Sequence, residues 1–330
     1  MKVTPNLGER KIIEIIRRHL ELMPHMPVPF GDDVAAVNLG KGMTAVLKTD
    51  MLVSRTDIPR GMTLWQAARK SVVMNVSDFA AKGVKPLALL ASIGLPRGMG
   101  KNSVQQLAEG LNAGAREYGA YIIGGDTGEA SDLIIAISLF GKIAKNRIML
   151  RSGAKPGDIL AVTGRFGKTS AGLRIIMQNI ATSENIRKDL VESVMLPHAR
   201  LKEGLALVRT GAVSAAIDSS DGLAWSLREI STASNVGFRI NKLPIANTAA
   251  KFAQDVKLNP VDLAFYGGEE YEIILTVRPS LWDVAERAVA RAGGGLVRIG
   301  ITTAEKRTIL SVNGKHQKIE ARGYEHFKDA

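Results

Sequence analysis

The first half of the chain alternates amphipathic segments with short apolar runs. Residues 9–22 carry apolar side chains at helical spacing, which predicts one helix, and Pro24 then breaks the pattern. Thr63 and Gln66 have the spacing of a capping box and predict a helix that ends near Gly83. A second capping-box pair, Ser103 and Gln106, predicts another helix. Runs of β-branched and large apolar residues predict strands at 44–47, 87–93, 121–123 and 133–140.

The second half repeats this mixture of elements. Helices are predicted from Thr169 and over 223–233, and Asn313-Gly314 predicts the turn of a late hairpin. The apolar runs predict strands at 159–163, 213–217 and 272–276. A polar, turn-rich segment at 151–158 separates the halves. We therefore predict an α/β (α+β) chain of two domains, residues 1–148 and 149–330.

Composition narrows the possible chemistry. The chain has 330 residues, 45% of them hydrophobic, which is enough for two cores. It contains no cysteine, which excludes disulfides, thiolate metal sites and a cysteine nucleophile. The N-terminal residues become charged by Glu9 without the apolar stretch of a signal peptide, and no apolar run is long enough for a membrane helix. We expect a soluble cytoplasmic protein with no membrane partner.

The net charge of +12 favours an anionic partner. Lysine and arginine are scattered singly or in pairs, and aromatic residues make up only 5% of the chain. A nucleic-acid surface would need basic residues interleaved with aromatic rings. We therefore expect phosphorylated small molecules and no nucleic acid.

Aspartate motifs supply the main chemical prediction. Most of them follow apolar strands, and strand ends converge on ligand crevices in open α/β folds. Carboxylates that converge repel one another unless cations lie between them, and oxygen ligands favour hard cations such as Mg²⁺. A single Gly-Asp is more often a turn or a helix cap, and Asp32 or Asp218 alone could be that. Together, five motifs favour metal binding: 31–33, 49–50, 77–78, 125–127 and 218–222.

Other site templates are absent from the sequence. Residues 164–170 end like a phosphate-binding P-loop, but Val162 stands where that motif requires glycine, so a structural turn is preferred. There is no Gly-x-Ser-x-Gly elbow and no Gly-x-Gly-x-x-Gly fingerprint. The five histidines have no zinc-like spacing.

Seven motifs in order resemble the thiamine-monophosphate kinase family, and the resemblance extends from Gly8 to Phe327. The family belongs to the aminoimidazole ribonucleotide synthetase superfamily, whose members bind ATP. The resemblance implies an N-terminal domain whose sheet pairs with a second subunit in a homodimer. It also implies a C-terminal α/β domain, with ATP in the cleft between the domains. The matching motifs are Gly31–Val37, Lys48–Val53, Asn75–Gly83, Gly124–Thr127, Arg151–Asp158, Asp218–Leu223 and Gly267–Glu272.

The resemblance also implies site residues. Asp221, Asp78 and Arg151 are the implied catalytic residues, and Asp57, Glu269 and Tyr324 the implied substrate contacts. Gly125, Asp126, Arg151 and Ser220 correspond to the nucleotide-binding positions. The implied Mg²⁺ ligands are Asp33, Thr49, Asp50, Asp78, Asp126, Asp218 and Asp221. The chain departs from many relatives at Asp57 (histidine), Lys48 (serine), Lys82 (methionine) and Glu270 (aspartate).

The implied reaction is direct in-line transfer of the γ-phosphoryl group of ATP to thiamine monophosphate, with several Mg²⁺ ions. The acceptor phosphate oxygen is already ionised near neutral pH, so the transfer needs no strong general base. Two alternatives remain open from the sequence. One is another ATP-dependent enzyme of the same superfamily, and the other is a non-catalytic nucleotide- or nucleic-acid-binding protein.

Overall fold

The N-terminal half is built on one five-stranded sheet. The computed structural model describes residues 7–312 and 314–327. The strand order is β1-β2-β5-β3-β4, and all neighbours are antiparallel except β3 and β4. The elements are α1 Glu9–Arg17, β1 Ala35–Gly40, β2 Met43–Val53, α2 Ser54–Asp57, α3 Leu64–Lys82, β3 Pro86–Leu95, α4 Lys101–Glu117, β4 Tyr121–Glu129 and β5 Ile134–Ala144.

The C-terminal half contains a seven-stranded sheet of order β12-β11-β8-β10-β6-β9-β7, in which only β8 and β11 pair in parallel. The mixed α/β class predicted from the sequence is confirmed. The elements are β6 Ile159–Val162, α5 Lys168–Gln178, α6 Glu184–Met195, α7 Leu201–Thr210, β7 Val213–Asp218, α8 Leu223–Ser234, β8 Gly237–Ile240, α9 Asn247–Asp255, α10 Pro260–Tyr266, β9 Ile273–Val277, a 3₁₀ turn Pro279–Leu281, α11 Trp282–Arg291, β10 Val297–Thr303, β11 Thr308–Val312 and β12 Lys315–Lys318.

Helix α3 is the central element of the molecule. It packs between the first sheet and elements of the second half, including α7 and β7. Its buried residues include apolar Val76 and Phe79 but also polar Asn75, Ser77 and Asp78. A helix buried all round needs partners for such polar groups. Here those partners are residues of the candidate site.

Local sequence patterns predict some helix ends correctly. Thr63 caps α3: Gln66 N donates to Thr63 Oγ1 at 3.2 Å, and Thr63 N donates to Gln66 Oε1 at 2.9 Å. Helix α3 ends at Gly83, whose φ of 67° is the left-handed region that favours glycine. Both features confirm the prediction.

Two other predicted helices are present, but one end of each was predicted wrongly. Helix α4 begins at Lys101 with Gly100 as its N-cap, so Ser103 lies inside the first turn and caps nothing. Helix α1 ends at Arg17 rather than at residue 22 and buries no residue. Because α1 buries no residue, tertiary packing does not stabilise a longer helix here.

Asp50 and Asp126 are not at strand ends, which corrects the sequence prediction. Strand β2 pairs with β5 over its whole length, from Met43 to Val53, and so runs through Asp50. Strand β4 pairs with β3 and likewise runs through Asp126. Asn313 of the predicted hairpin turn lies outside the described residues. Within residues 7–312 and 314–327, no helix is both long and apolar enough to cross a membrane.

Candidate active site

Three aspartates from distant parts of the chain meet at the junction of the two sheets. Asp33 precedes β1, Asp78 lies near the end of α3, and Asp218 ends β7. One carboxylate oxygen from each lies within 4.8 Å of the others, and all three residues are buried. Ser77 Oγ donates a hydrogen bond of 2.8 Å to Asp218 Oδ2, which links α3 to β7. We call Asp33, Asp78 and Asp218 the acidic cluster.

Basic side chains surround the acidic cluster. Lys48 Nζ lies 3.0 Å from an oxygen of Asp78 and 3.0 Å from an oxygen of Asp50. Lys82, which is fully buried, contacts Asp33 at 2.8 Å and Asp32 at 2.6 Å. Its ammonium also donates to the Ala216 carbonyl of β7 at 2.8 Å. The sequence reasoning missed these roles, although a lysine within an apolar run is a sign of a buried carboxylate partner.

Arg151 also contacts the cluster and its surroundings. Its Nε donates to Asp33 Oδ1 at 2.7 Å, and its Nη1 donates to the Gly31 carbonyl at 2.8 Å. Its backbone N–H donates to Asp32 Oδ2 at 3.0 Å. Asp32 therefore orders the loop around Arg151 and Lys82.

The electrostatics differ among the three aspartates. Burial raises the pKa of Asp218 to about 7, and the nearby charge of Asp33 adds to this increase. Burial also raises the pKa of Asp78 well above its ordinary value, against the opposing charge of Lys48. At Asp33, the charges of Lys82 and Arg151 outweigh burial and lower the pKa. Two of the three carboxyls therefore lack sufficient positive charge around them.

Other predicted metal residues are placed differently. Asp50 contacts the cluster through Lys48. Thr49 is adjacent to Asp50 in β2, so its side chain points to the opposite face of the sheet, where Ser138 Oγ donates to it at 3.2 Å. Gly125 and Asp126 lie on edge strand β4, three strand positions from β2. At about 4.8 Å between neighbouring strands, Gly125 and Asp126 are roughly 14 Å from β2. Within a single chain they therefore lie apart from the acidic cluster.

A polar cavity of about 320 Å³ lies beside the cluster. Five of the predicted site residues line this cavity: Arg151, Asp218, Ser220, Asp221 and Tyr324. The Asp221 side chain is 46% exposed and therefore accessible to a ligand.

Helix α1 closes one side of this cavity, a role the sequence reasoning did not assign. The Arg10 guanidinium stacks 3.6 Å from the centre of the Trp225 ring and lies 3.8 Å from Asp221. Arg10 also pairs with Glu229 at 2.5 Å, and Arg151 pairs with the other oxygen of Glu229 at 3.3 Å. Glu229 thus holds two arginines at the mouth of the cavity. The contacts of Arg10 join residues more than 200 positions apart, which local patterns do not reveal.

A second, more apolar cavity of about 760 Å³ adjoins the first through Ile13 and Gly31. Asp33 and Lys48 are among its polar lining residues, whereas the exposed side chains of Leu47, Leu90, Ile123 and Phe140 form part of its apolar wall. A large apolar space with polar groups at one end is typical of a small-molecule site. Together the two cavities offer an apolar chamber and a charged chamber on either side of Gly31.

The predicted substrate contacts Asp57 and Glu269 lie on two segments that Lys70 joins. Glu269, which has a φ of 62°, pairs with buried Lys70 at 2.5 Å. Lys70 Nζ also donates to the Asp57 carbonyl at 2.9 Å, so it holds the Asp57 and Glu269 regions together. The Asp57 carboxylate accepts from Val53 N at 2.7 Å. Tyr324 is 48% exposed at the rim of the polar cavity.

Glu270 accounts for the P-loop-like segment at 164–170. The Gly167 and Thr169 N–H groups at the start of α5 donate to Glu270 Oε1 at 2.6 and 3.2 Å. A side-chain carboxylate thus occupies the helix N-terminus where a phosphate could otherwise bind. The segment is a capped turn.

The donor set of the acidic cluster fits a hard cation such as Mg²⁺. Its ligands are all oxygen, and two of its carboxyls have raised pKa values because they lie buried beside other carboxylates. Ser219 Oγ, also buried and next to Asp218, has no hydrogen-bond partner among the described residues. A buried hydroxyl without a partner is costly unless a ligand satisfies it.

Comparisons with known proteins agree with this architecture. The model of the N-terminal domain of AIR synthase related proteins matches residues 31–143, and that of the C-terminal domain matches residues 155–313. The thiamine-monophosphate kinase of Nitrosopumilus maritimus is 35% identical over 322 residues, covering 98% of this chain and 99% of that protein. The chain belongs to the thiamine-monophosphate kinase family. The family member from Pyrococcus abyssi is also 35% identical, with 98% and 96% of the two chains covered.

Several solved structures superpose on nearly the whole chain. AaThiL complexed with AMPPCP and TMP has a TM-score of 0.85 at 26% identity, with 99% of each chain covered. The protein tt0281 from Thermus thermophilus has a TM-score of 0.83 at 30% identity, covering 92% of this chain and 96% of that one. The hydrogenase maturation protein HypE, at 18% identity and a TM-score of 0.69, shares the fold alone.

Proposed function

We propose that this chain phosphorylates thiamine monophosphate with ATP, giving thiamine diphosphate and ADP. The observation that carries this proposal is the convergence of Asp33, Asp78 and Asp218 at the junction of the two sheets, in a chain of this family. The related AaThiL structure holds AMPPCP, an ATP analogue, together with TMP. The apolar and polar cavities on either side of Gly31 offer room for two ligands.

Mg²⁺ is part of the proposal, and Asp33, Asp78 and Asp218 would hold it, with Asp50 and Asp221 at the edge of the site. When bound, Mg²⁺ neutralises phosphate oxygens and the charge that spreads over the transferred group. Thr49 and Asp126 remain proposed ligands from the family resemblance.

Arg151 and Ser220 are proposed to position the nucleotide phosphates. A guanidinium offers forked donors that match phosphate oxygens, and Arg151 is held between Asp33 and Glu229 beside the polar cavity. The acceptor is an ionised phosphate, so the chain must align two anions rather than remove a proton. Asp78 and Asp221 complete the proposed catalytic set.

Asp57, Glu269 and Tyr324 are proposed to recognise the thiamine moiety. Its thiazolium ring is cationic, which suits the carboxylates of Asp57 and Glu269 and the ring face of Tyr324. Lys70 supports this assignment because it ties the Asp57 and Glu269 segments into one wall.

We further propose a homodimer formed through the open face of the first sheet. Large apolar side chains on β2, β3, β4 and β5 remain exposed there, and contiguous exposed apolar surface marks an interface. Covering this face would enclose Gly125 and Asp126 and would close the apolar cavity, which residues of the same face line. The exposed residues include Leu47, Met51, Leu90, Tyr121, Ile123 and Phe140.

The domain boundary at residues 148/149 and a cytoplasmic location complete the proposal. The boundary is supported by the strands, since those of the first sheet end at Ala144 and those of the second begin at Ile159.

Steady-state kinetics of thiamine diphosphate formation test the division of roles. Asp57→Ala should mainly raise the KM for thiamine monophosphate, because it removes a contact to bound substrate. Asp221→Ala should mainly lower kcat, because its charge acts on the phosphates. Equal and small effects in both variants would contradict these roles, and absence of product from the unsubstituted chain would contradict the function.

A further inference from the structure

Lys48 has an unusual position inside the acidic site. It lies on β2 one residue from Thr49 and two from Asp50, so Lys48 and Asp50 share the face of the sheet that is turned towards α3. Its ammonium lies 3.0 Å from Asp50 Oδ1 and 3.0 Å from Asp78 Oδ2. The side chain is only 18% exposed. Lys48 therefore bridges two carboxylates that belong to different elements.

The charges around the site show what this bridge contributes. Five carboxylates, those of Asp32, Asp33, Asp50, Asp78 and Asp218, are joined by ion pairs or proximity within the site. The cations paired with them are Lys48, Lys82 and Arg151. With all groups ionised, the net charge of these eight side chains is three minus five, or −2. Without Lys48 the sum is −3, and Asp50 and Asp78 face each other with no cation between them.

An ammonium at this point excludes a divalent ion from the same place. Mg²⁺ binds oxygen ligands at about 2.0–2.1 Å and requires near-octahedral geometry, so an ion shared by Asp50 and Asp78 would occupy the space of the lysine nitrogen. Lys82 does not compete in this way, because its ammonium binds Asp32, Asp33 and the Ala216 carbonyl rather than Asp50 or Asp78. Lys48 is thus the cation that faces the two aspartates.

We propose that Lys48 is a built-in cation that takes the place of one divalent ion between Asp50 and Asp78. The chain then keeps Asp50 and Asp78 together without a bound metal. Before nucleotide binds, it holds one divalent ion fewer than the same chain would hold with an uncharged side chain at position 48. The inference rests on the proposed function only in treating the acidic cluster as the metal site.

Counting bound metal in the absence of nucleotide tests this inference. Mn²⁺, which accepts the same oxygen ligands, can be counted by the electron paramagnetic resonance signal of the free ion. We expect Lys48→Met to bind one more Mn²⁺ per chain than the unsubstituted protein, or to bind the same number at least tenfold more tightly. Lys306→Met, which removes a lysine charge in an exposed turn, is the matched control and should change neither quantity.

Equal Mn²⁺ stoichiometry and affinity in Lys48→Met and the unsubstituted chain would overturn the proposal. If Lys48→Met does not fold without metal, the proposal requires that added Mn²⁺ restores its unfolding transition; no restoration would refute it. A second variant, Lys48→Met with Asp50→Asn, removes one charge of each sign. It should fold without metal and bind no more Mn²⁺ than the unsubstituted chain, and the opposite result also counts against the proposal.

The metal count is independent of catalysis. If the unsubstituted protein forms thiamine diphosphate and Lys48→Met gains no metal, the built-in cation is refuted while the proposed function stands. If Lys48→Met gains an ion but the unsubstituted protein makes no product, the proposed function fails while the built-in cation stands.

Discussion

Replacing Lys82 with methionine tests whether charge balance holds the two halves together. The Lys82 ammonium is fully buried and has three oxygen partners: Asp32 at 2.6 Å, Asp33 at 2.8 Å and the Ala216 carbonyl at 2.8 Å. Methionine keeps most of the side-chain volume but leaves these oxygens without their cation. Removing one partner of a buried ion pair costs about 3–5 kcal/mol. Arg151 still pairs with Asp33, so we expect the lower end, about 3 kcal/mol.

Thermal unfolding of Lys82→Met measures this loss. At about 2 °C per kcal/mol for a chain of this size, the melting temperature should fall by roughly 6 °C at pH 7. Lys85→Met is the matched control, since Lys85 is three residues away but exposed. It should shift the melting temperature by less than about 1 °C, as surface substitutions usually do.

The pH dependence separates lost charge pairing from lost packing. Lys82 and Arg151 hold the folded-state pKa of Asp33 below its ordinary value against burial. Their pairing therefore stabilises the protein above the unfolded pKa of about 4, and the stabilisation is lost as the pH falls through the folded pKa. The deficit of Lys82→Met should be largest near pH 7 and shrink below about pH 4. A deficit under 2 °C at pH 7, or one that is the same at every pH, would refute the reasoning.

Two further predictions concern the second half of the chain. In Gly204→Ala the new Cβ would lie 1.9 Å from the Ala80 carbonyl oxygen of α3, so α7 must move and the free energy of unfolding should drop by about 1–3 kcal/mol. Gly295→Ala, whose Cβ meets nothing within 4 Å, is the control in the same melting assay. Equal melting temperatures for the two variants would contradict the close packing of α7 against α3. Burial raises the pKa of Glu270 to about 7, so the folded state keeps a proton that the unfolded state releases above about pH 4.3, and stability falls as the pH rises towards 7. Glu270→Gln should make that fall shallower by up to about 1.4 kcal/mol per pH unit. Melting curves at pH 5, 6 and 7 measure this effect, and the same loss of stability with pH in the variant and in the unsubstituted chain would argue against it.

The parts of the fold that local chemistry determines were predictable. The Thr63–Gln66 capping box and the stop at Gly83 depend on neighbouring residues alone, and both are present. The extent of β2 was not predictable, because its polar residues are tolerated only through pairing with β5 and ion pairs to α3. Ser103 failed as a cap because Gly100 already serves as the N-cap of α4.

The candidate site divides in the same way. The aspartates were found from residue type and small neighbours, and the structure brings Asp33, Asp78 and Asp218 together. Among the basic partners Arg151 was predicted, but Lys48 and Lys82 were not, because their ion pairs with Asp78 and Asp33 join residues far apart in the chain. The position of Asp126 on an edge strand depends on sheet order, which composition does not encode.

Transfer of radiolabel from [γ-³²P]ATP measures the proposed phosphoryl transfer itself. The unsubstituted protein, incubated with thiamine monophosphate and Mg²⁺, should place the label in thiamine diphosphate and leave unlabelled ADP. Transfer should stop when Mg²⁺ is chelated, and Asp78→Asn should slow it by at least tenfold. Label released only as inorganic phosphate, or no labelled thiamine diphosphate in the presence of Mg²⁺, would contradict the account.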